Sequence, residues 1–379
     1  MSALPVVSPV VSPGFVSGDL VIDGDRIAQF GGIYDSQDRA VRRIDATGLF
    51  VVPGYIDLQI NGIGGVDFST EPERMSEAAS ILPRFGVTSF LPTIVSSASS
   101  IVARAQDAVA AKATKPGQAR ALGLHLEGPF LNPARAGAHE QRHLLMPSLE
   151  LIETWSPEQG VTLVTLAPEL PGGNEVIRAL TSRRVITFAG HTEADAEQMR
   201  RAFDDGVTGV THLFNAMPPL HHREPGPIGV ALKDARAVAG LIADGVHVDP
   251  TVVALAFRLL GPDRTLLVSD SVAAAAMPPG KYRLGSVDVI ADVSSVRLSN
   301  GVLAGSVLTL DAAVRNLMKF TGCSLAEAVR CATSTPARVL QRTDIGSLQP
   351  GSLADIVGLD AEANVVFVVI NGELAWPLE

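Results

Sequence analysis

Apolar and polar positions change their spacing along this chain, and each change marks a different kind of element. Leu20-Val21-Ile22-Asp23-Gly24-Asp25-Arg26-Ile27 reads as two short strands about a turn at Asp23-Gly24, and Arg43 to Phe50 continues in that style. From Val51 to about Arg342 strand-like apolar runs alternate with amphipathic stretches, the signature of repeated βα units. Strands are expected at Ile56–Ile60, Ser89–Ile94, Ala121–Leu126, Val161–Leu166, Val185–Ala189, Gly209–Leu213, Ala237–Ile242 and Thr265–Ser269. Helices are expected between most of them, among others at Glu73–Phe85, Ile101–Ala113, Glu193–Phe203 and Pro250–Leu260. Eight strands over about 220 residues fit a TIM (β/α)8 barrel. A doubly wound sheet would carry a glycine-rich phosphate fingerprint after its first strand, and Asn61-Gly62-Ile63-Gly64-Gly65 has the wrong spacing for one. Tyr282 to Gly301 reads as a β-hairpin inserted after the eighth strand, and Ser352 to Trp376 returns to short strands with a turn at Asn371-Gly372. The fold class is therefore α/β. Residues 53–342 are expected to form the barrel, and 1–52 with 343–379 a small β-sandwich domain built from both ends of the chain.

Composition narrows the partners. The chain has 30 Lys+Arg against 40 Asp+Glu, net −10, which disfavours nucleic acid or an anionic membrane surface. A single Arg or His can still hold a phosphate inside an acidic protein. The 46% apolar content with 35 Gly and 25 Pro suits a folded enzyme with many tight loops. Cys323 and Cys331 match no paired zinc-thiolate spacing and read as free thiols of a reducing compartment. Met1 to Leu20 holds Pro5, Pro9 and Pro13 and no Lys or Arg, so no secretory signal is read there. No apolar run reaches the roughly 18–20 residues that span a bilayer. A soluble cytoplasmic protein is expected.

Catalytic groups of a TIM barrel gather at the C-terminal ends of its strands. Here strand three ends in His125-Leu126-Glu127-Gly128-Pro129, strand five in Ala189-Gly190-His191, and strand six in Thr211-His212-Leu213-Phe214-Asn215-Ala216. Strand seven ends in Ala243-Asp244-Gly245-Val246-His247 and strand eight in Ser269-Asp270. One histidine at a strand end is unremarkable; five such ends on one rim describe a site. Glu127, His191 and His212 suit a divalent metal, two imidazoles and a carboxylate leaving an open position as in catalytic zinc. Asp270 is then the general base and acid, taking a proton from water and returning it to a departing nitrogen.

Several of these segments carry a resemblance as well. Pro53-Gly54-Tyr55-Ile56-Asp57-Leu58-Gln59-Ile60-Asn61-Gly62, Leu124-His125-Leu126-Glu127-Gly128-Pro129-Phe130 and Gly190-His191-Thr192 resemble the amidohydrolase superfamily. With Thr211-His212-Leu213-Phe214-Asn215-Ala216-Met217, Arg223-Glu224-Pro225-Gly226 and Leu303-Ala304-Gly305-Ser306, the chain resembles the N-acetylglucosamine-6-phosphate deacetylase family over nearly its whole length. The resemblance implies hydrolysis of N-acetyl-D-glucosamine 6-phosphate to D-glucosamine 6-phosphate and acetate, in amino-sugar catabolism and cell-wall sugar recycling. It implies Glu127, His191 and His212 as metal ligands, Asp270 as acid/base, and His139 as a group that polarises the acetyl carbonyl. Ala138, Asn215, Ala216 and His247 match substrate contacts, and Leu303, Ala304 and Gly305 a segment closing over the sugar. Arg223 matches the phosphate-binding Arg, which can be donated by the neighbouring subunit of a homodimer. One divalent ion per chain is expected: zinc first, with iron, cobalt, manganese or cadmium suiting the same donors.

The chain departs from a common amidohydrolase pattern at strand one, where His-X-His supplies a second metal site. Gln59-Ile60-Asn61 stands there, and amides are poor ligands beside imidazole, so a single tightly held ion is expected. His221-His222 reads as a pair of solvated loop histidines, and Phe130 to Ala136 as a mobile lid. Two other readings stay open: an amidohydrolase acting on a cyclic amide or nucleobase, and an inactive barrel serving as a scaffold. Arg223 weighs against the first, and the intact set of Glu127, His191, His212 and Asp270 against the second.

Overall fold

The alternating pattern produces eight parallel strands in the computed structural model, which describes residues 6–11, 17–31, 43–111 and 115–377. The barrel strands are β1 (Tyr55–Ile60), β2 (Val87–Val95), β3 (Leu124–Glu127), β4 (Val161–Leu166), β5 (Ile186–Ala189), β6 (Gly209–Val210), β7 (Val238–Leu241) and β8 (Thr265–Leu267). Each pairs in parallel with the next. The ring closes just past the end of β8, where the Asp270 N–H donates to the Gln59 carbonyl at 2.8 Å and the Asn61 N–H to the Ser271 carbonyl at 2.8 Å. Every residue of β2 is buried, as expected of a strand covered on both faces.

Most expected strands shift at their ends, and two are cut by backbone geometry. Gly123, at φ +113°, breaks Ala121–Leu126 into a short Arg120–Ala121 bridge and β3. The sixth strand stops at Val210, because His212 turns the backbone to φ +29°. The helix expected over Glu73–Phe85 is regular only over Met75–Ile81 and continues as a 3-10 turn carrying Pro83, which has no N–H to give. Ile101–Ala113 corresponds to a helix over Ser99–Ala110; its expected last residues, 112 and 113, lie outside the described part. Glu193–Phe203 begins later, at Ala196, where Asp195 and Gln198 form a capping box. Pro250–Leu260 runs regularly until Gly261 leaves helical geometry at φ +65°.

Inside the barrel, His125 and Glu127 share one face of β3, two residues apart. His125 lies one layer below the rim. Its Nδ1–H donates to the Leu58 carbonyl at 3.0 Å, and its Nε2 meets Thr165 Oγ1 at 2.8 Å, itself 2.6 Å from Thr211 Oγ1. Burial pushes this imidazole down to about 4, so it is a neutral packing element.

The inserted segment forms a three-stranded antiparallel sheet, Gly280–Leu284, Val287–Ala291 and Val296–Arg297, over its own apolar cluster of Val272, Leu284, Val289, Val296 and Ala304. Both ends of the chain meet in one eight-stranded sheet. Phe50–Pro53 pairs there antiparallel with Ile356–Leu359. The sheet curls until its far strand, Arg26–Phe30, returns to Leu353 through a bridge at Arg26, giving two facing layers. Leu20, Ile22, Ile27, Val51, Ile356, Phe367 and Val369 fill the space between them. Part of the 1–52 segment, including Pro5 and Pro13, lies outside the described residues. Among the described residues no helix is long and apolar enough to cross a membrane. Cys331 is buried and Cys323 half-buried, both as free thiols.

Candidate metal centre and active site

Glu127, His191, His212 and Asp270 come together at the C-terminal mouth of the barrel, in a pocket of about 510 Å³. A larger, mostly apolar cavity of about 680 Å³, lined by residues such as Ala79, Phe90 and Ala108, lies apart from these groups. His191, His212 and Asp270 leave their strands at φ +48°, +29° and +47°, a backbone region that costs a non-glycine residue about 1–3 kcal/mol. Three of the four central side chains thus sit on sharp left-handed turns.

Hydrogen bonding decides what the imidazoles offer. Nδ1 of His191 lies 2.7 Å from the Arg135 carbonyl and must donate to it. That leaves Nε2 as the atom free to bind a cation, and it faces Glu127 Oε1 at 3.2 Å and His212 Nε2 at 3.1 Å. His212 Nε2 is 3.0 Å from the same carboxylate oxygen, while its Nδ1 is buried without a partner. Three lone-pair atoms converging on one point repel unless a cation or protons lie between them, so this donor set fits a divalent ion. Where protons on His191 and His212 take the place of a cation, burial still pushes the Glu127 carboxyl up, but their hydrogen bonds and charge outweigh it and hold the group well below the usual carboxylate range.

His139 joins the cluster too. Its Nε2 is 3.8 Å from Glu127 Oε2, and Glu127, His139 and His191 place donor atoms within 4.8 Å of one another. Its Nδ1 accepts from the Ser96 backbone N–H at 3.2 Å, so the neutral ring carries its proton on Nε2. Burial, reinforced by His191, pushes its pKa down to about 3. With its proton on Nε2, the ring offers a hydrogen-bond donor to the pocket.

Gln59 and Asn61 do something residue type alone did not reveal. The Gln59 amide nitrogen donates at 3.1 Å to both Glu127 Oε1 and Asp270 Oδ1, and Asn61 Nδ2 donates to Asp270 Oδ1 at 2.8 Å. Only the NH₂ end of an amide can bridge two carboxylates, which fixes its orientation. Asp270 Oδ1 is thereby clamped, and Oδ2, which no described residue hydrogen-bonds, is left for the pocket. Burial and the nearby charge of Glu127 push the Asp270 carboxyl up to about 6.

Residues 50–375 match the amidohydrolase family. The human N-acetylglucosamine-6-phosphate deacetylase is 37% identical over 374 residues, covering 94% of this chain and 91% of its own. The chain belongs to this deacetylase family of amidohydrolases. An N-acetylgalactosamine-6-phosphate deacetylase of Escherichia coli O157:H7 is 40% identical over 329 residues, 85% of this chain and 87% of its own. The crystal structure of the Pasteurella multocida N-acetylglucosamine-6-phosphate deacetylase has a TM-score of 0.92 at 28% identity, covering 98% and 99% of the two chains. An aspartate-to-alanine mutant of the Mycobacterium smegmatis enzyme, in complex with N-acetyl-D-glucosamine 6-phosphate, has a TM-score of 0.87 at 31% identity with the same coverage.

In this amidohydrolase the remaining expected site residues fall into two groups. Ala138, Asn215, Ala216, His247, Leu303 and Gly305 all line the pocket. Asp244 Oδ2 accepts from Nδ1 of His247 at 2.6 Å, which turns the other ring nitrogen away from that carboxylate. Ala304 alternates to the opposite side, where its methyl is buried in the insert's apolar cluster. Arg223 is not among the described residues lining the pocket. It is exposed on a loop, its Nη1 2.9 Å from Nε2 of the equally exposed His222. Phe130 to Ala136 is not built as a loose lid: Phe130 and Leu131 are buried, and the Phe130 carbonyl accepts from the Ala167 N–H at 2.8 Å. Residue-by-residue reading also missed Arg135 and Arg297 as residues of the pocket wall, the first ion-paired with Glu193 and the second donating to the Gly301 carbonyl.

Proposed function

We propose that this protein is a metal-dependent hydrolase that removes the acetyl group from N-acetyl-D-glucosamine 6-phosphate, releasing D-glucosamine 6-phosphate and acetate. The observation that carries this reading is the convergence of Glu127 Oε1 with Nε2 of His191 and of His212 beside a clamped Asp270 in one pocket. The relatives supply the substrate, since members covering nearly the whole chain are named for this deacetylation. Glu127, His191 and His212 would hold a divalent ion, which we assign as zinc, and it would supply the Lewis acidity that acidifies water and polarises a carbonyl oxygen.

The protein's own groups divide the remaining work. His139 donates its Nε2–H to the acetyl oxygen, where negative charge develops as the carbonyl is attacked. Asp270 takes the proton of the attacking water on Oδ2 and returns it to the nitrogen as the C–N bond breaks. Asn215, Ala216 and His247 hold the sugar, and Leu303 and Gly305 cover it. The phosphate is met by Arg223 of a neighbouring subunit, so we propose a homodimer in the cytoplasm. Residues 53–342 act as the catalytic domain, and 1–52 with 343–379 as the small β-domain.

One ion per chain suffices, because the amide hydrogens of Gln59 already occupy the space between the two carboxylates. The test is acetate release from N-acetylglucosamine 6-phosphate after the metal is stripped and then restored, with elemental analysis at each step. Activity should vanish with the metal and return in full at one zinc per chain. Substituting His for Gln59 and Asn61 together should raise bound metal toward two. Turnover that survives stripping would refute the metal mechanism, and activity that rises only with a second equivalent would refute the single-ion site.

A further inference from the structure

Outside the set of side chains that reach the pocket, one carboxylate gathers three hydrogen bonds at the rim. Glu169 follows β4 in Leu166-Ala167-Pro168-Glu169. Its Oε1 accepts from Asn132 Nδ2 at 2.9 Å and from the Glu193 backbone N–H at 2.6 Å, and its Oε2 accepts from the Thr192 hydroxyl. Those donors belong to two separate pieces of chain. Asn132 lies in the segment after β3, while Thr192 and Glu193 follow His191 on the turn after β5. The two pieces are also joined directly, the Asn132 N–H donating to the His191 carbonyl at 2.9 Å. Three residues further along the first piece, the Arg135 carbonyl receives Nδ1–H of His191. The second piece continues the linkage, since the Thr192 N–H donates to the Ala216 carbonyl at 3.2 Å.

We propose that Glu169 is a positioning residue for His191: by tying the 130–136 segment to the turn after β5, it fixes the carbonyl that sets the tautomer and direction of that imidazole. Only a carboxylate presents acceptors to both pieces without bringing a hydrogen of its own. The proposal rests on His191 being a metal ligand. Partners that orient a ligand in this way typically alter metal affinity 10–100-fold when removed.

The test is zinc affinity of the full chain, measured by competition with a chromogenic chelator, for the wild type, Glu169→Ala and Glu169→Gln. Glu169→Ala should bind zinc roughly 10–100-fold more weakly. Glu169→Gln, which keeps one oxygen for Asn132 and Glu193, should fall between it and the wild type, and it serves should the alanine variant not fold. In a His191→Ala background, Glu169→Ala should change zinc affinity less than about twofold, because the group it positions is gone. Wild-type affinity in both Glu169 variants, or an equal loss with His191 already removed, would overturn the inference while leaving the metal centre intact. A wild-type protein that binds no zinc would overturn the metal reading and this inference with it.

Discussion

Asp270 sits in a conflict between burial and charge that sets its working pH. Its carboxyl is pushed up to about 6 by desolvation and by Glu127, so it is protonated, and unable to act as a base, at more acidic pH. The expected outcome is an acid limb in kcat/KM at pH 6 or below, a bound cation moving it lower. Asp270→Asn should reduce kcat by roughly 10²–10⁴-fold while zinc stays bound. An acid limb that persists unchanged in Asp270→Asn, or near-normal turnover by that variant when fully zinc-loaded, would remove this residue from proton transfer. At this scale the sequence was legible where chemistry and position coincided: Glu127, His191, His212 and Asp270 are polar residues at strand ends of a barrel. It was opaque for groups that act through others. Gln59 looked like an absent histidine, yet it is a donor shared by two carboxylates. Glu169 and Ser96 carry no periodic or compositional mark, because their partners lie in other loops.

The elements show where pattern ends and backbone geometry begins. Val161–Leu166 has the bounds its apolar run predicts, but β6 is two residues long where five were expected. The apolar pattern persists through Leu213; the turn at His212 is what ends the ladder, and a left-handed histidine leaves no trace in hydrophobic spacing. A similar cost is visible at a helix end far from the site. The helix Ser334–Val339 closes with the Arg342 N–H on the Ala337 carbonyl and the Gln341 N–H on the Arg338 carbonyl, which leaves Gln341 at φ +54°. Glycine is the residue suited to that position. Gln341→Gly should stabilise the protein by roughly 0.5–1 kcal/mol and raise Tm by about 1–2 °C without altering turnover. A lowered Tm would mean that the glutamine side chain contributes more than its backbone conformation costs.

At the scale of the whole molecule, the exposed Arg223 loop keeps that guanidinium out of the pocket of its own chain, where Arg135 and Arg297 are the arginines in the wall. Arg223→Ala should cost the 6-phosphate substrate on the order of 2–5 kcal/mol and leave the unphosphorylated sugar nearly unchanged, since no other side chain copies a planar fork. If the arginine is shared, mixed dimers of Arg223→Ala and Asp270→Asn chains should regain activity. Failure of confirmed mixed dimers to do so would confine Arg223 to its own subunit. The barrel was legible from eight spaced apolar runs, and the small domain from short strands at both ends. The curl that brings Arg26 back to Leu353 was not legible, because pairings so remote in sequence leave no local periodicity. That sheet also imposes an order of events during synthesis. Phe50–Pro53 has no antiparallel neighbour until Ile356–Leu359 is made, about 300 residues later. At bacterial or eukaryotic elongation speeds the wait is on the order of half a minute. Throughout it, a nascent chain carries an apolar strand with one open edge, a surface prone to pairing with other chains until the C-terminal strand arrives.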